Sequence, residues 1–272
     1  MSFTVTSLAS SSSGNCYLIR SDNATVLLDM GISLKRIKES LMFFGLNLSD
    51  VDGILITHEH SDHVQSLKTA VKKMENAHIY MSKGTLDGIR TGSTDTFTEL
   101  VIHSDRLHAS DKRDHFMIKD ILVVPFNVSH DTNEPVMYSL ISQSRKLSVV
   151  TDTGIVTDEI YDNIRSADTL IIESNHEPNI LLYGSYPYRV KQRILSNQGH
   201  LSNEACAKCL VKLMSELRRP NVFLAHLSDK NNTPEQARLT IRNFLEEEGY
   251  YEGKDIFIET LKKDQMSRVI EI

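Results

Sequence analysis

The chain has 272 residues, 40% of them hydrophobic, and a formal charge of −6. That is enough to bury a full-sized core, and the composition excludes a fibre, a repeat array or a disordered chain. The acidic balance argues against coating nucleic acid by bulk electrostatics, and three cysteines are too few for a disulfide framework. No run reaches the roughly 20 apolar residues that span a bilayer, and the first residues lack the charged-then-apolar form of a signal peptide. A cytoplasmic protein without a membrane partner is therefore expected.

Taken in order, residues 3–8, 16–19 and 24–28 read as strands of a meander, rich in β-branched and apolar side chains and separated by Ser, Gly, Asn and Asp. Ser33 offers an N-cap to a helix running through Phe44, with Leu34, Ile37 and Leu41 at helical spacing. A short buried strand follows at 53–57, and the polar segment from His58 to His63 leads into a helix over about 64–74. Strands are expected at 117–126, 137–142, 146–150, 169–173 and 221–225, and helices at 203–217 and 234–247. Thr233-Pro234-Glu235-Gln236 is a helix start in which threonine caps and Gln236 completes a capping box. Strands followed by helices in each half predict an α/β layered domain, two sheets face to face with helices outside.

The segment Thr57-His58-Glu59-His60-Ser61-Asp62-His63 lies where the strand gives way to the helix. In an extended chain His58 and His60 share a side, and as the chain turns, Asp62 and His63 project toward a neighbouring position. One ion could be gripped by each pair. The plain alternative is a solvated cluster in which Ser61 or Asp62 merely caps the helix. The spacing is not that of the helical H-E-x-x-H site, whose histidines lie four apart.

The segment resembles the H-x-H-x-D-H signature of the metallo-β-lactamase superfamily. That resemblance implies an αββα sandwich of two mixed sheets over residues 1–272, with halves of about 1–127 and 128–272. It also implies a histidine after a strand, an aspartate after the next strand pair and a late histidine, positions held here by His130, Asp152 and His226. By the same resemblance His58, His60 and His130 hold one divalent ion, Asp62, His63 and His226 hold a second, and Asp152 bridges them. Nitrogen and oxygen ligands without thiolate suit zinc, and also manganese or iron(II). Two such ions against two carboxylates leave positive charge that favours an anionic substrate, and they bring the pKa of water to about 7.

Glu173-Ser174-Asn175-His176 and Gly199-His200-Leu201-Ser202-Asn203 resemble motifs that help protonate the leaving oxygen in the tRNase Z branch of that superfamily. By that analogy His200 is the general acid and Glu173 orients it and raises its pKa; these two and Asp62 are the candidate catalytic residues. His176, Ser202 and Asn203 are candidate substrate contacts, although either of the last two suits a helix cap. The chain is similar over nearly its whole length to the YycJ/WalJ-like branch, through Leu8-Ala9-Ser10-Ser11-Ser12-Ser13-Gly14-Asn15, the motifs above, and Ala225-His226-Leu227-Ser228. Ser11 stands where that branch usually shows a glycine. Members look like 5′→3′ DNA exonucleases linked to mismatch repair, so DNA is the favoured partner, and Arg189, Lys191 and Arg193 before the His200 motif become candidates for its backbone. A small-molecule hydrolase acting on a cyclic phosphodiester, thioester or lactone is the alternative. Cys206 and Cys209 fall on the stripe of Leu210, Leu213, Met214 and Leu217, which reads as core packing rather than a zinc pair.

Overall fold

A computed structural model describes residues 2–111, 114–216 and 219–272. The chain opens with the antiparallel meander β1 (Thr4–Ala9), β2 (Cys16–Arg20) and β3 (Thr25–Leu28). Ser33 Oγ accepts from Arg36 N to start α1 (Leu34–Phe43), which buries Ile37 and Leu41 and returns the chain to β4 (Gly53–Leu55), parallel to β3. After α2 (Ser61–Val64) and α3 (Leu67–Lys73) come β5 (His78–Ser82), α4 (Lys83–Gly92), α5 (Thr94–Ile102) and β6 (Leu107–Ser110). The second half runs through β7 (Phe116–Ile118), β8 (Ile121–Asn127), β9 (Val136–Ser142), β10 (Arg145–Val150), α6 (Asp158–Ile164) and β11 (Thr169–Glu173). It closes with α7 (Pro178–Tyr183), α8 (Tyr188–Leu195), α9 (Asn203–Leu213), β12 (Asn221–Ala225), α10 (Pro234–Glu247), β13 (Phe257–Thr260) and β14 (Ile270–Glu271).

Two mixed sheets result, ordered β14-β1-β2-β3-β4-β5-β6 and β13-β12-β11-β10-β9-β8-β7. Their inner faces meet in one apolar layer that includes Val5, Tyr17, Val26, Leu140, Ile171 and Phe223. The outer face of the first sheet packs Leu27, Ile54 and Ile79 against α1, α3 and α4 through Ile37, Val71 and Ile89. That of the second packs Leu170 and Val222 against α6, α9 and α10 through Ile160, Leu210 and Ile241. Both sheets are thus buried on both faces, and the αββα sandwich expected from the sequence is present. Among the described residues no helix is long and apolar enough to cross a membrane.

Several local expectations change. The strand expected at 117–126 is a hairpin, β7 and β8, turned at Lys119 and Asp120 with Lys119 at φ +51°, and no glycine advertises that turn. The helix expected at 64–74 breaks at Gln65 and Ser66, because Ser66 donates both its N–H and its hydroxyl to the carbonyl of Met30. Strand β4 stops at Leu55, short of Thr57. Thr233 caps α10 by accepting from Gln236 N, but Gln236 Nε2 donates onward to Thr240, so the capping box is half made. Helix α9 ends at Leu213, while Leu217 and Arg218 lie outside the described residues.

Candidate metal centre

Every predicted ligand follows a strand or sits in a loop at one end of the two sheets, where backbone leaves the ladder. The 58–63 segment follows β4, His130 follows β8, Asp152 follows β10 and His226 follows β12. Asp152 and His226 have φ of +52° and +55°, left-handed values that non-glycine residues hold only when their surroundings insist. Gly31 lets the loop after β3 press on this segment, since a Cβ there would lie 1.6 Å from the carbonyl oxygen of Asp62.

Donor atoms of His58, His60 and His130 fall within 4.8 Å of one another, as do those of Asp62, His63 and His226, and of His58, His63 and Asp152. The far sides of the rings explain why. His63 Nδ1 donates to Asp29 Oδ2 at 2.7 Å, His226 Nδ1 to Glu173 Oε1 at 2.8 Å, and His130 Nδ1 to the carbonyl of Gly199 at 3.1 Å. His58 Nδ1 lies 3.0 Å from Thr57 Oγ1, which itself donates to Asp29. An acceptor on Nδ1 fixes the tautomer and leaves the Nε2 lone pair facing inward, the arrangement that metal-binding histidines use. Asp152 reaches into the same space, with Oδ2 3.3 Å from His63 Nε2 and Oδ1 3.4 Å from His226 Nε2. His58 Nε2 and Asp152 Oδ2 are buried yet have no hydrogen-bond partner among the described residues. Buried polar atoms left open at the meeting point of a nitrogen and oxygen donor set fit a pair of divalent cations.

The electrostatics point the same way. Burial, joined by the charge of His63, drives His58 well below the usual imidazole range. Burial also opposes charge on His63 and His226, but carboxylates overcome it. Asp29, Asp152 and Asp62 hold His63 well above the ordinary value, and Asp152, Asp62 and Glu173 push His226 up to about 10. Against its own burial, Asp152 is held well below the carboxylate range by His226 and His63. In the chelated protein, then, protons on His63 and His226 balance the buried carboxylates. Both folded values lie above the ordinary 6.5, so the stability these histidines contribute is complete below about pH 6.5 and is lost as pH rises through the folded values, which for His226 is about 10. The melting temperature of chelated protein is expected to fall between pH 7 and 10. Zinc-loaded protein should melt independently of pH there, because cations replace those protons. Parallel pH profiles for the two forms would count against the site.

A cleft of about 340 Å³ opens over the cluster, lined by Asp62, Asp152, His200 and His226 together with Ser12, Asn175, Ser228, Tyr186 and Arg193. His200 Nδ1 donates to Glu173 Oε1 at 2.8 Å, the same oxygen that receives His226. Glu173 is fully buried, its Oε2 accepts from the N–H groups of Thr153 and Leu201, and against burial the two histidines hold it down to about 2. Sequence reading assigned no role to Asp29, to Asn15, whose Nδ2 lies 3.2 Å from His63 Nε2, to Asn175, whose Nδ2 donates to the carbonyl of His226, or to Asp131. Asp29 stands directly after the buried strand β3, a position that by itself does not distinguish an orienting carboxylate from a solvated one.

Other predicted contacts fall elsewhere. Glu59 turns away and accepts from Asn133 N. His176 is buried outside the cleft lining; neither ring nitrogen has a partner among the described residues, and burial lowers it to about 4. Ser202 caps α9 by accepting from Ala205 N. Asn203 is fully buried, accepting from Ser174 Oγ at 2.6 Å and donating to Asn232 and Glu177. Neither of the last two lines the cleft. Arg189 is exposed outside the cleft lining, and Lys191 donates to the carbonyl of Leu182, so of the basic trio only Arg193 lines the cleft. Cys206 and Cys209 are core residues on the buried face of α9. Asn203→Ala is expected to cost about 1–3 kcal/mol of stability by stranding buried polar partners while leaving KM unchanged. A raised KM with unchanged stability would restore Asn203 as a substrate contact.

The family described as the β-lactamase superfamily domain matches residues 25–227. The chain is 36% identical over 249 residues to exodeoxyribonuclease YycJ of Bacillus anthracis, covering 91% of this chain and 90% of that protein. It is 34% identical over 269 residues to exodeoxyribonuclease WalJ of Streptococcus pneumoniae serotype 2, covering 97% and 96%. Among solved structures, unliganded yeast PDE1 superposes with a TM-score of 0.71 at 15% identity, covering 99% of this chain and all of that one, a likeness of fold. Zinc-bound PqqB from Methylobacterium extorquens gives 0.70 at 14%, covering 97% and 99%.

Proposed function

This chain belongs to the β-lactamase superfamily, and from that premise we propose that it is a metal-dependent phosphodiesterase acting on nucleic acid, a 5′→3′ DNA exonuclease of DNA repair. One observation carries the phosphodiesterase reading. A single buried oxygen, Glu173 Oε1, accepts hydrogen bonds from His226 and from His200, tying a candidate ion ligand to a candidate proton donor. DNA as substrate and attack from an end are supported by similarity to the YycJ and WalJ exodeoxyribonucleases, while the 5′→3′ polarity and the repair role are what the resemblance of the sequence motifs to the YycJ/WalJ-like branch implies. Three unpaired cysteines suit a reducing cytoplasm.

His58, His60 and His130 would hold one divalent ion and Asp62, His63 and His226 the other, with Asp152 shared; zinc suits this set best, then manganese or iron. Bound there, the ions supply Lewis acidity and a nucleophile near neutral pH. The chain's own groups do the rest. Glu173 is acceptor-only, so it fixes the Nδ1 proton of His200 and leaves Nε2 as the nitrogen that can hand a proton to the leaving oxygen. A phosphodiester's alkoxide leaves only if protonated, and His200 lines the cleft where that oxygen would sit. Ser12, Ser228 and Arg193 supply hydrogen-bond donors for phosphate oxygens, while Asn175 Nδ2 is committed to Ser12 Oγ and the carbonyl of His226.

Incubating the zinc- or manganese-loaded protein with 5′-labelled duplex DNA, a bis-aryl phosphodiester and a thioester tests this. Mononucleotides or short fragments released from the 5′ end support it. Thioester hydrolysis with the DNA intact would place the protein among the small-molecule hydrolases of the fold.

A further inference from the structure

Asp131 follows His130 and grips Arg193 across the cleft mouth, its Oδ2 accepting from Nε and its Oδ1 accepting from Nη2 at 2.9 Å. Oδ1 also stands 3.5 Å from His130 Nε2 and 3.9 Å from His60 Nε2, so one carboxylate spans from the guanidinium to the histidine cluster. A guanidinium has a second edge, made by Nη1 and the outward N–H of Nη2, that matches two oxygens of a phosphate. Among the described residues no acceptor takes Nη1, and Arg193 lines the cleft with its side chain half exposed.

We propose that Asp131 is a positioning residue: it holds Arg193 by one edge so that the other clamps a backbone phosphate near the scissile one, at a fixed distance from the His58, His60 and His130 cluster. The proposal rests on the phosphodiesterase reading. An arginine free in solvent spreads over many rotamers, and binding a phosphate would first have to gather them. Asp131 does that gathering before substrate arrives. Geometry and charge predict opposite signs here. As a mere counter-charge, Asp131 would weaken attraction for DNA, and its removal would tighten binding.

The test measures kcat and KM of the wild type, Asp131→Ala, Arg193→Ala and Arg193→Lys, with melting temperature and metal content as controls. Substrates are duplex DNA and the same duplex carrying one uncharged methylphosphonate linkage, placed in turn at the first three linkages from the 5′ end. On ordinary DNA each variant should raise KM about tenfold with a smaller change in kcat, and lysine should fail to rescue because it has no fork. At one linkage position the wild type should lose about tenfold in kcat/KM, and Asp131→Ala and Arg193→Ala should lose nothing further. A lower KM for Asp131→Ala, or equal losses on neutral and charged linkages, overturns the positioning role alone. A wild type that leaves ordinary duplex intact with zinc and manganese overturns the phosphodiesterase reading, and the proposal with it.

Discussion

Replacing Asp152 by alanine is expected to lower hydrolysis by about 10³-fold or more and to bring bound metal below two ions per chain. Oδ2 lies 3.3 Å from His63 Nε2, and Oδ1 lies 3.4 Å from His226 Nε2 and 3.8 Å from His130 Nε2, so this side chain reaches members of both donor groups. Losing it removes a shared ligand and also the leading carboxylate that raises His226, and one that joins Asp29 in raising His63, when cations are stripped. Several kcal/mol of Lewis-acid stabilisation depend on both ions, and about 4 kcal/mol corresponds to 10³ in rate. Asp152→Asn is the control for backbone. Asparagine tolerates the left-handed φ of +52° that alanine resists, so it separates the loss of charge from the cost of that conformation. Metal analysis together with turnover decides the matter. Two ions and normal activity in the alanine variant would remove Asp152 from any bridging role.

How far the sequence could be read depended on whether function and local pattern coincided. His58 to His63 was legible because its residues are adjacent and bounded by a strand and a helix, and His130, Asp152 and His226 because the resemblance to the metallo-β-lactamase superfamily says after which strands its ligands fall. Asp29 and Asp131 were not, since a lone carboxylate after a strand or beside a histidine looks the same whether it orients an imidazole or faces water. Ser202 and Asn203 misled for the complementary reason. Their neighbourhood to His200 is one of sequence, while the turn into α9 aims Asn203 at Ser174 and Asn232. In the fold, both sheets and the layering followed from the run of strands and helices. The segment holding β5, α4, α5 and β6 was missed, because its strands are short and half-buried and its helices begin at Ser82 and Ser93 without a long apolar stripe.

His200→Ala should lower turnover on DNA by about 10² to 10⁴, the usual scale of general acid catalysis, with metal content unchanged. His200 Nδ1 is committed to Glu173 at 2.8 Å, its side chain is 13% exposed, and it borders the cleft, so Nε2 is the nitrogen left to meet a substrate. The loss should shrink with a nitrophenolate leaving group, which departs without a proton. Glu173→Gln is a less selective probe. Glu173 Oε1 also receives His226 Nδ1, and an amide cannot accept from both histidines with the strength of a carboxylate, so this variant should lose metal affinity as well as proton transfer. The pair of variants therefore separates two duties of one buried oxygen: His200→Ala should change leaving-group dependence alone, and Glu173→Gln should change leaving-group dependence and metal content together. Equal losses for His200→Ala on both leaving groups would reassign His200 to phosphate binding. The phosphodiesterase reading would then stand only on similarity to its relatives.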